Sequence, residues 1–196
     1  MPWYLAPDLV PDKIEWGFLP GEPGPFALAN PNVAPREDDL EKTFTVTVEG
    51  PRRMLPDFSV LSGNSGLIVS RRFRDLVETL DPVRHFYFRT RVVLADGTSL
   101  EDSHYVFKLG GLIEDGLDPD RSTISPVVLN GVLRYYQSKS LTPNLMWRDN
   151  KIAGRHIWAD AKLPKFIVVS DEIYSRMKAA DMGEFISKES MVDPDS

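Results

Sequence analysis

Leu67-Ile68-Val69-Ser70-Arg71-Arg72-Phe73 is matched 100 positions later by Ile167-Val168-Val169-Ser170-Asp171-Glu172-Ile173. The correspondence runs on without a gap, Val77 over Met177, Leu80 over Ala180, Asp81 over Asp181 and Phe86 over Ile186. Each copy reads as an apolar strand, a serine and a helix. Serine at that point is a preferred N-cap, because its oxygen accepts a backbone N–H of the first turn, a contact worth about 1 kcal/mol. Ser70 and Ser170 are therefore expected to be structural helix caps. In the first helix Phe73, Leu76, Val77 and Leu80 fall at i, i+3, i+4 and i+7 and make one apolar stripe. Ile173, Met177 and Ala180 repeat it more weakly. A strand returns at His85 to Phe88 and at Glu184 to Ile186. Pro56-Asp57-Phe58 and Pro164-Lys165-Phe166 precede the copies and align with one another, with about eight extra residues in the first. The pattern predicts an α+β fold, a mixed and antiparallel sheet around a duplicated strand–serine–helix unit at 67–88 and 167–187.

Outward from the repeat, Thr43-Phe44-Thr45-Val46-Thr47-Val48 alternates strictly and predicts a half-buried strand. His85 to Leu94 and Ser99 to Lys108 flank Asp96-Gly97, a strong hairpin signal. Ile124 to Gln137 fits a strand or a helix, and Trp147 to Trp158 short strands around a turn at Gly154. Ten of the sixteen prolines lie between Pro2 and Pro56. Each fixes its own φ and biases its predecessor to extended backbone. Residues 1–42 are accordingly expected to be an irregular proline-rich arm packed on the body, anchored by Trp3, Tyr4, Trp16, Phe18 and Phe26. Residues 43–190 form the expected single domain, and 191–196 should fray.

Composition excludes much. The 196 residues contain no cysteine, so there is no disulfide, zinc-thiolate, iron–sulfur or thiol chemistry. With 23 basic and 29 acidic side chains the net charge is −6, which counts against binding nucleic acid. The longest charge-free stretches, such as Ser122 to Leu133, fall short of the roughly 18 apolar residues of a membrane span. Met1-Pro2-Trp3-Tyr4 is unlike the start of a signal peptide. A soluble cytoplasmic protein without a membrane partner is expected.

No catalytic, cofactor or metal signature emerges. Val69-Ser70-Arg71 and Val169-Ser170-Asp171 lack the glycines of a nucleophile elbow. His85, His104 and His156 are scattered, although His85 and His104 could face each other across the predicted hairpin. Asp118-Pro119-Asp120-Arg121-Ser122 opens like a calcium loop, but has Thr123 and Leu129 where glycine and glutamate belong. Gly63-Asn64-Ser65-Gly66 and Gly110-Gly111 read as a surface loop and a bend. No phosphate-binding glycine loop is present.

The order of short motifs is more informative. Pro56-Asp57-Phe58, Val69-Ser70 with its helix, Phe86-Tyr87-Phe88, and His104-Tyr105-Val106-Phe107 lead to Leu117-Asp118 and Ser122. His156-Ile157-Trp158, Ile167-Val168-Val169-Ser170-Asp171 and Met182-Gly183-Glu184-Phe185 close the series. Over residues 40–190 this resembles the immunity proteins of bacterial polymorphic toxin systems. That family was first catalogued as a domain of unknown function and is typified by a myxobacterial member. The sequence departs from its pattern at Gly183-Glu184, and the arm before residue 40 is not matched.

The resemblance implies a non-catalytic protein, without cofactor or metal, that binds and neutralises a cognate protein toxin. Against a basic toxin such as a nuclease, acidic groups would steer encounter. The candidate toxin-binding residues are Glu37, Asp38, Asp39 and Glu41, and Glu114, Asp115, Asp118 and Asp120. Trp3, Trp16, Trp147 and Trp158 are candidate aromatic anchors. Two other readings stay open, a small hydrolase-like enzyme with a site assembled from distant residues, and a structural interaction module with a self-associating edge strand. The sequence leaves the oligomeric state undetermined.

Overall fold

A computed structural model describes residues 2–6, 15–18, 33–49, 55–60, 67–138, 143–182, 186–189 and 191–193. In chain order its elements begin with β1 (Trp3–Ala6), β2 (Glu15–Phe18), α1 (Glu37–Glu41), β3 (Thr43–Glu49), β4 (Phe58–Val60) and β5 (Leu67–Ser70). Next come α2 (Arg71–Leu80), β6 (Phe86–Val93), β7 (Ser99–Lys108), β8 (Ile124–Leu129) and β9 (Val132–Ser138). The chain ends with β10 (Met146–Arg148), α3 (Asp149–Ile152), β11 (Ile157–Trp158), β12 (Val168–Val169), α4 (Asp171–Ala179), β13 (Ile186–Glu189) and β14 (Met191–Asp193).

The duplication is structural, and its register is kept residue for residue. The first unit runs β4-β5-β7-β6 inside a six-stranded sheet of order β2-β3-β6-β7-β5-β4; the second is a four-stranded sheet of order β11-β12-β1-β13. Across the first unit, Phe58 pairs with Val69, Val69 with Tyr105 and Tyr105 with Arg89. Across the second, Ile157 pairs with Val169, Val169 with Trp3 and Trp3 with Glu189. Every neighbour within each unit is antiparallel; the sheet is mixed only where β3 lies parallel to β6. The offset of 100 therefore holds from Val69 and Val169 to Arg89 and Glu189. It slips by one, to 99, between Phe58 and Ile157, and the central strand breaks it altogether, because β7 closes the first unit and β1 opens the chain.

Two expectations are revised by this register. The counterpart of Pro56-Asp57-Phe58 is Arg155-His156-Ile157, not Pro164-Lys165-Phe166, since strand pairing and not likeness of residues sets the correspondence. The arm is not wholly irregular. Its residues 3–6 fill the middle of a sheet, joining β13 to the β11–β12 pair, and β2 extends the edge of β3. Tyr4 and Leu5 are buried, while the side chains of Trp16 and Phe26 lie outside the described residues.

Alternation on the strands divides the apolar side chains among three clusters. Leu5, Phe58, Val69, Tyr105, Phe107, Ile157 and Val169 meet Phe73 and Val77 of α2 and Ile173 and Met177 of α4. The opposite face of the larger sheet packs Phe44, Val46, Ile68, Phe88 and Val106, with Leu40 of α1 against them. The opposite face of the smaller sheet packs Tyr4, Val168 and Trp158 with Leu117, Leu145 and Trp147.

The β6–β7 hairpin turns as expected at Asp96-Gly97, where Gly97 has φ +80°. Residues 124–137 form a second hairpin, β8–β9, turning on Asn130 (φ 53°) and Gly131 (φ 75°). Between Trp147 and Trp158 a single helical turn, α3, separates β10 from β11, in place of strands alone. Fraying does not begin at residue 191: Met191–Asp193 pair in parallel with Met146–Arg148, and Arg121 Nη1 lies 2.5 Å from Asp193 Oδ2.

Candidate functional site

Both serines cap their helices. Ser70 Oγ accepts the N–H of Phe73 at 3.2 Å, and Ser170 Oγ that of Ile173 at 3.3 Å. Their own N–H groups donate to Asp57 O and His156 O, each at 2.9 Å. The side chains at those two equivalent positions then engage the hydroxyls. Ser70 Oγ–H donates to the Asp57 carboxylate, which Arg72 also grips through Nη2 at 2.5 Å. Ser170 Oγ and His156 Nδ1 share a hydrogen bond at 3.0 Å. In isolation that last contact looks like a nucleophile and its base. Its place in the repeat identifies it with Asp57–Ser70, an anchor for a cap, and no described residue bonds the other ring nitrogen as a catalytic triad requires.

The remaining histidines do not meet. His104 stands level with Ser70 on the neighbouring strand, and its Nε2–H donates to Pro56 O at 3.2 Å. His85 Nδ1 accepts the N–H of Gly110 at 3.1 Å, so its proton sits on Nε2, 3.5 Å from Asp81 Oδ1. The expected pairing across the hairpin fails because the strand register sets Tyr105 opposite Arg89 and Phe86 opposite Lys108. Among the described residues no group of three His, Asp or Glu side chains could hold a metal.

Asp81 accepts three backbone hydrogen bonds from two separate parts of the chain. Oδ1 accepts Val83 N–H at 2.8 Å, and Oδ2 accepts His156 N–H at 2.6 Å and Ile157 N–H at 2.7 Å. It thus fastens the end of α2 to β11 of the other unit. Burial opposes its charge, but the nearby His85 imidazole and the bonds from three backbone amides prevail and hold the pKa at about 2.

One acidic cluster sits on α1 and the other in the loop before β8. Glu37, Asp38 and Glu41 are exposed on α1, beside the larger sheet. Asp39 points inward, 4% exposed, with Arg36 at 3.2 Å and Lys42 at 3.3 Å. The Arg36 guanidinium keeps its carboxyl below the usual range. Glu114 and Asp120 are exposed in the loop leading to β8. Asp115 pairs with Lys162. Asp118 is half-buried, its Oδ1 accepting the N–H of Asp120 at 3.0 Å and of Arg121 at 3.3 Å. This loop is pinned by buried Asp160, which accepts Gly116 N–H at 2.8 Å and Leu117 N–H at 3.2 Å.

Two candidate aromatic anchors are unavailable to a partner: Trp147 and Trp158 are core residues, in contact edge to face. Trp3 is half-buried and stacked on Tyr174 with centroids 4.0 Å apart. Among the described residues most large exposed apolar side chains lie elsewhere, on β8–β9, where Val128, Leu129, Val132 and Tyr135 are each about half exposed. Sequence reading missed this hairpin, although Asn130-Gly131 between two apolar runs is its signal. Gly63-Asn64-Ser65-Gly66 lies outside the described residues.

These observations define an α+β protein on a duplicated strand–serine–helix frame, with acidic loops and an exposed apolar hairpin. A sequence model of the Immunity protein family (Imm11) matches residues 7–187, and the chain belongs to that family. The match takes in most of the proline-rich arm, so the arm from residue 7 is part of the family's extent, contrary to the narrower resemblance over 40–190. No curated protein sequence matches the chain at a significant level. Among the described residues no helix is long and apolar enough to cross a membrane.

Proposed function

We propose that this protein is the immunity partner of a polymorphic toxin, binding a cognate toxin in the cytoplasm and neutralising it stoichiometrically, with no catalysis of its own. Membership of an immunity-protein family over residues 7–187 carries this reading. The use of both repeat serines as helix caps supports the non-catalytic part, as does the net charge of −6 the absence of a nucleic-acid partner. The toxin is basic in this reading, and exposed carboxylates steer its approach. Of the eight candidate residues, Glu37, Asp38, Glu41, Glu114, Asp115 and Asp120 are the exposed ones; Asp39 and Asp118 serve mainly to hold their own turns.

Co-expression with the product of the adjacent upstream gene tests the reading, paired with a pull-down. Rescued growth and a recovered complex are expected; neither rescue nor binding contradicts it. Charge reversal at Glu114 and Asp120 together should slow association about tenfold at low salt and leave dissociation nearly unchanged. Unaltered association kinetics would remove that cluster from the interface.

A further inference from the structure

Among the described residues, five large apolar side chains are prominently exposed, and four of them sit on β8–β9: Val128 at 54%, Leu129 at 54%, Val132 at 53% and Tyr135 at 49%. Cross-strand partners share a face, and faces alternate along the strands. Leu129 pairs with Val132 and Val127 with Tyr135, so Leu129, Val132, Tyr135 and the half-buried Val127 line one face, while the exposed Val128 pairs with Leu133 on the other. Tyr136, opposite Pro126, packs against the core around Trp147 and turns that side of the hairpin root inward. A face on which Leu129, Val132 and Tyr135 stay about half exposed gains little for the fold.

We propose that this hairpin enters the toxin, its outer face of Val127, Leu129, Val132 and Tyr135 filling an apolar pocket with a basic rim; the inference rests on the immunity reading above. Charge at the root selects the occupant. The segment 114–120, which leads into β8, carries four carboxylates, Glu114, Asp115, Asp118 and Asp120. It lies against the hairpin root, since Tyr136 N–H donates to Lys162 O at 2.8 Å and the Lys162 ammonium pairs with Asp115. A second copy docking hairpin to hairpin would bring two such loops together, in a chain already at −6. A basic rim would instead complement them.

Backbone chemistry argues the same way. Tyr136 sends its N–H outward to Lys162, so its partner Pro126 faces outward too and offers no donor on the β8 edge. On β9, Val127 pairs with Tyr135 and Val128 with Leu133, leaving Arg134 as a bulge that interrupts the other edge. Both edges are poor templates for an added strand. The side-chain face is what remains to bind.

The test uses the full chain against the purified toxic domain encoded by the neighbouring gene, by isothermal titration, with sedimentation velocity of the chain alone. Wild type is expected to bind as a monomer. The double variant Leu129→Asp/Val132→Asp should weaken binding about 100-fold with its melting temperature unchanged, and Tyr135→Ala about tenfold. Should the double variant unfold, Tyr135→Ala still decides the matter. Variants that bind as tightly as wild type overturn the hairpin assignment and leave the immunity reading standing. Wild type that does not bind overturns both. A wild-type dimer that the double variant dissociates makes a second copy the occupant and refutes the toxin as its ligand.

Discussion

Asp81 shows how one residue joins two parts of the chain 75 positions apart. Its carboxylate satisfies the N–H groups of His156 and Ile157 while also closing the turn after α2. Asp81→Ala leaves these buried donors without acceptors, and a loss of about 3 kcal/mol is expected in urea unfolding. The folded pKa of about 2 lies below that of a free carboxyl. Its contribution is therefore complete above about pH 4 and lost as pH falls through 2. His104 adds a change of the same sign at higher pH, because burial lowers its pKa from 6.5, so protonation on acidification favours the unfolded chain. The urea midpoint should start to fall below about pH 6.5 and drop further below pH 4. A midpoint constant from pH 7 to 3 would contradict both assignments. Gly110 is another local case: a Cβ there would stand 2.0 Å from Arg84 O, so the residue read as a mere bend is a close backbone approach. None of this was legible in the sequence. Asp81 is visible there only as the aligned partner of Asp181, because its bonds go to backbone on a strand far along the chain.

Among the elements, those with local signals were legible. Strict alternation marked β3, Asp96-Gly97 marked the β6–β7 turn, and serine before an apolar stripe marked both long helices. The two caps should differ when removed. Ser170→Ala loses one cap bond and a contact with His156, about 1 kcal/mol; Ser70→Ala also deprives the buried Asp57 carboxylate of a donor, and about 2 kcal/mol is expected by thermal unfolding. Equal costs would show that the Asp57 contact adds nothing. The β8–β9 hairpin was not recognised, since Val127-Val128-Leu129 does not alternate and an apolar run ordinarily belongs to the core. Only Asn130-Gly131 told otherwise. The run is solvent-facing, and this departure from patterning is what suggests a partner.

At the scale of the whole molecule, the repeat predicted two similar units but could not show where the second finds its central strand. That strand is β1, drawn from the other end of the chain into the place β7 takes in the first unit. Such pairing leaves no local trace, and a proline-rich context conceals it further. Leu5 occupies the position of Phe107, 2% exposed within the cluster shared by α2 and α4. Leu5→Ala should cost about 3 kcal/mol and lower the melting temperature by about 6–12 °C, as for any core leucine. A change under 2 °C, like that of a residue in a loose arm, would refute the placement. Acidic loops and an apolar hairpin emerge beside one another on this doubly built frame, a combination suited to capturing a basic protein. The central claim is that capture. Its most direct measurement is titration of the purified chain into the toxic domain of the neighbouring gene's product, with the toxin's own activity followed in the same sample. The account predicts saturation at one equivalent, with activity falling in step; full activity in the presence of excess chain would contradict it.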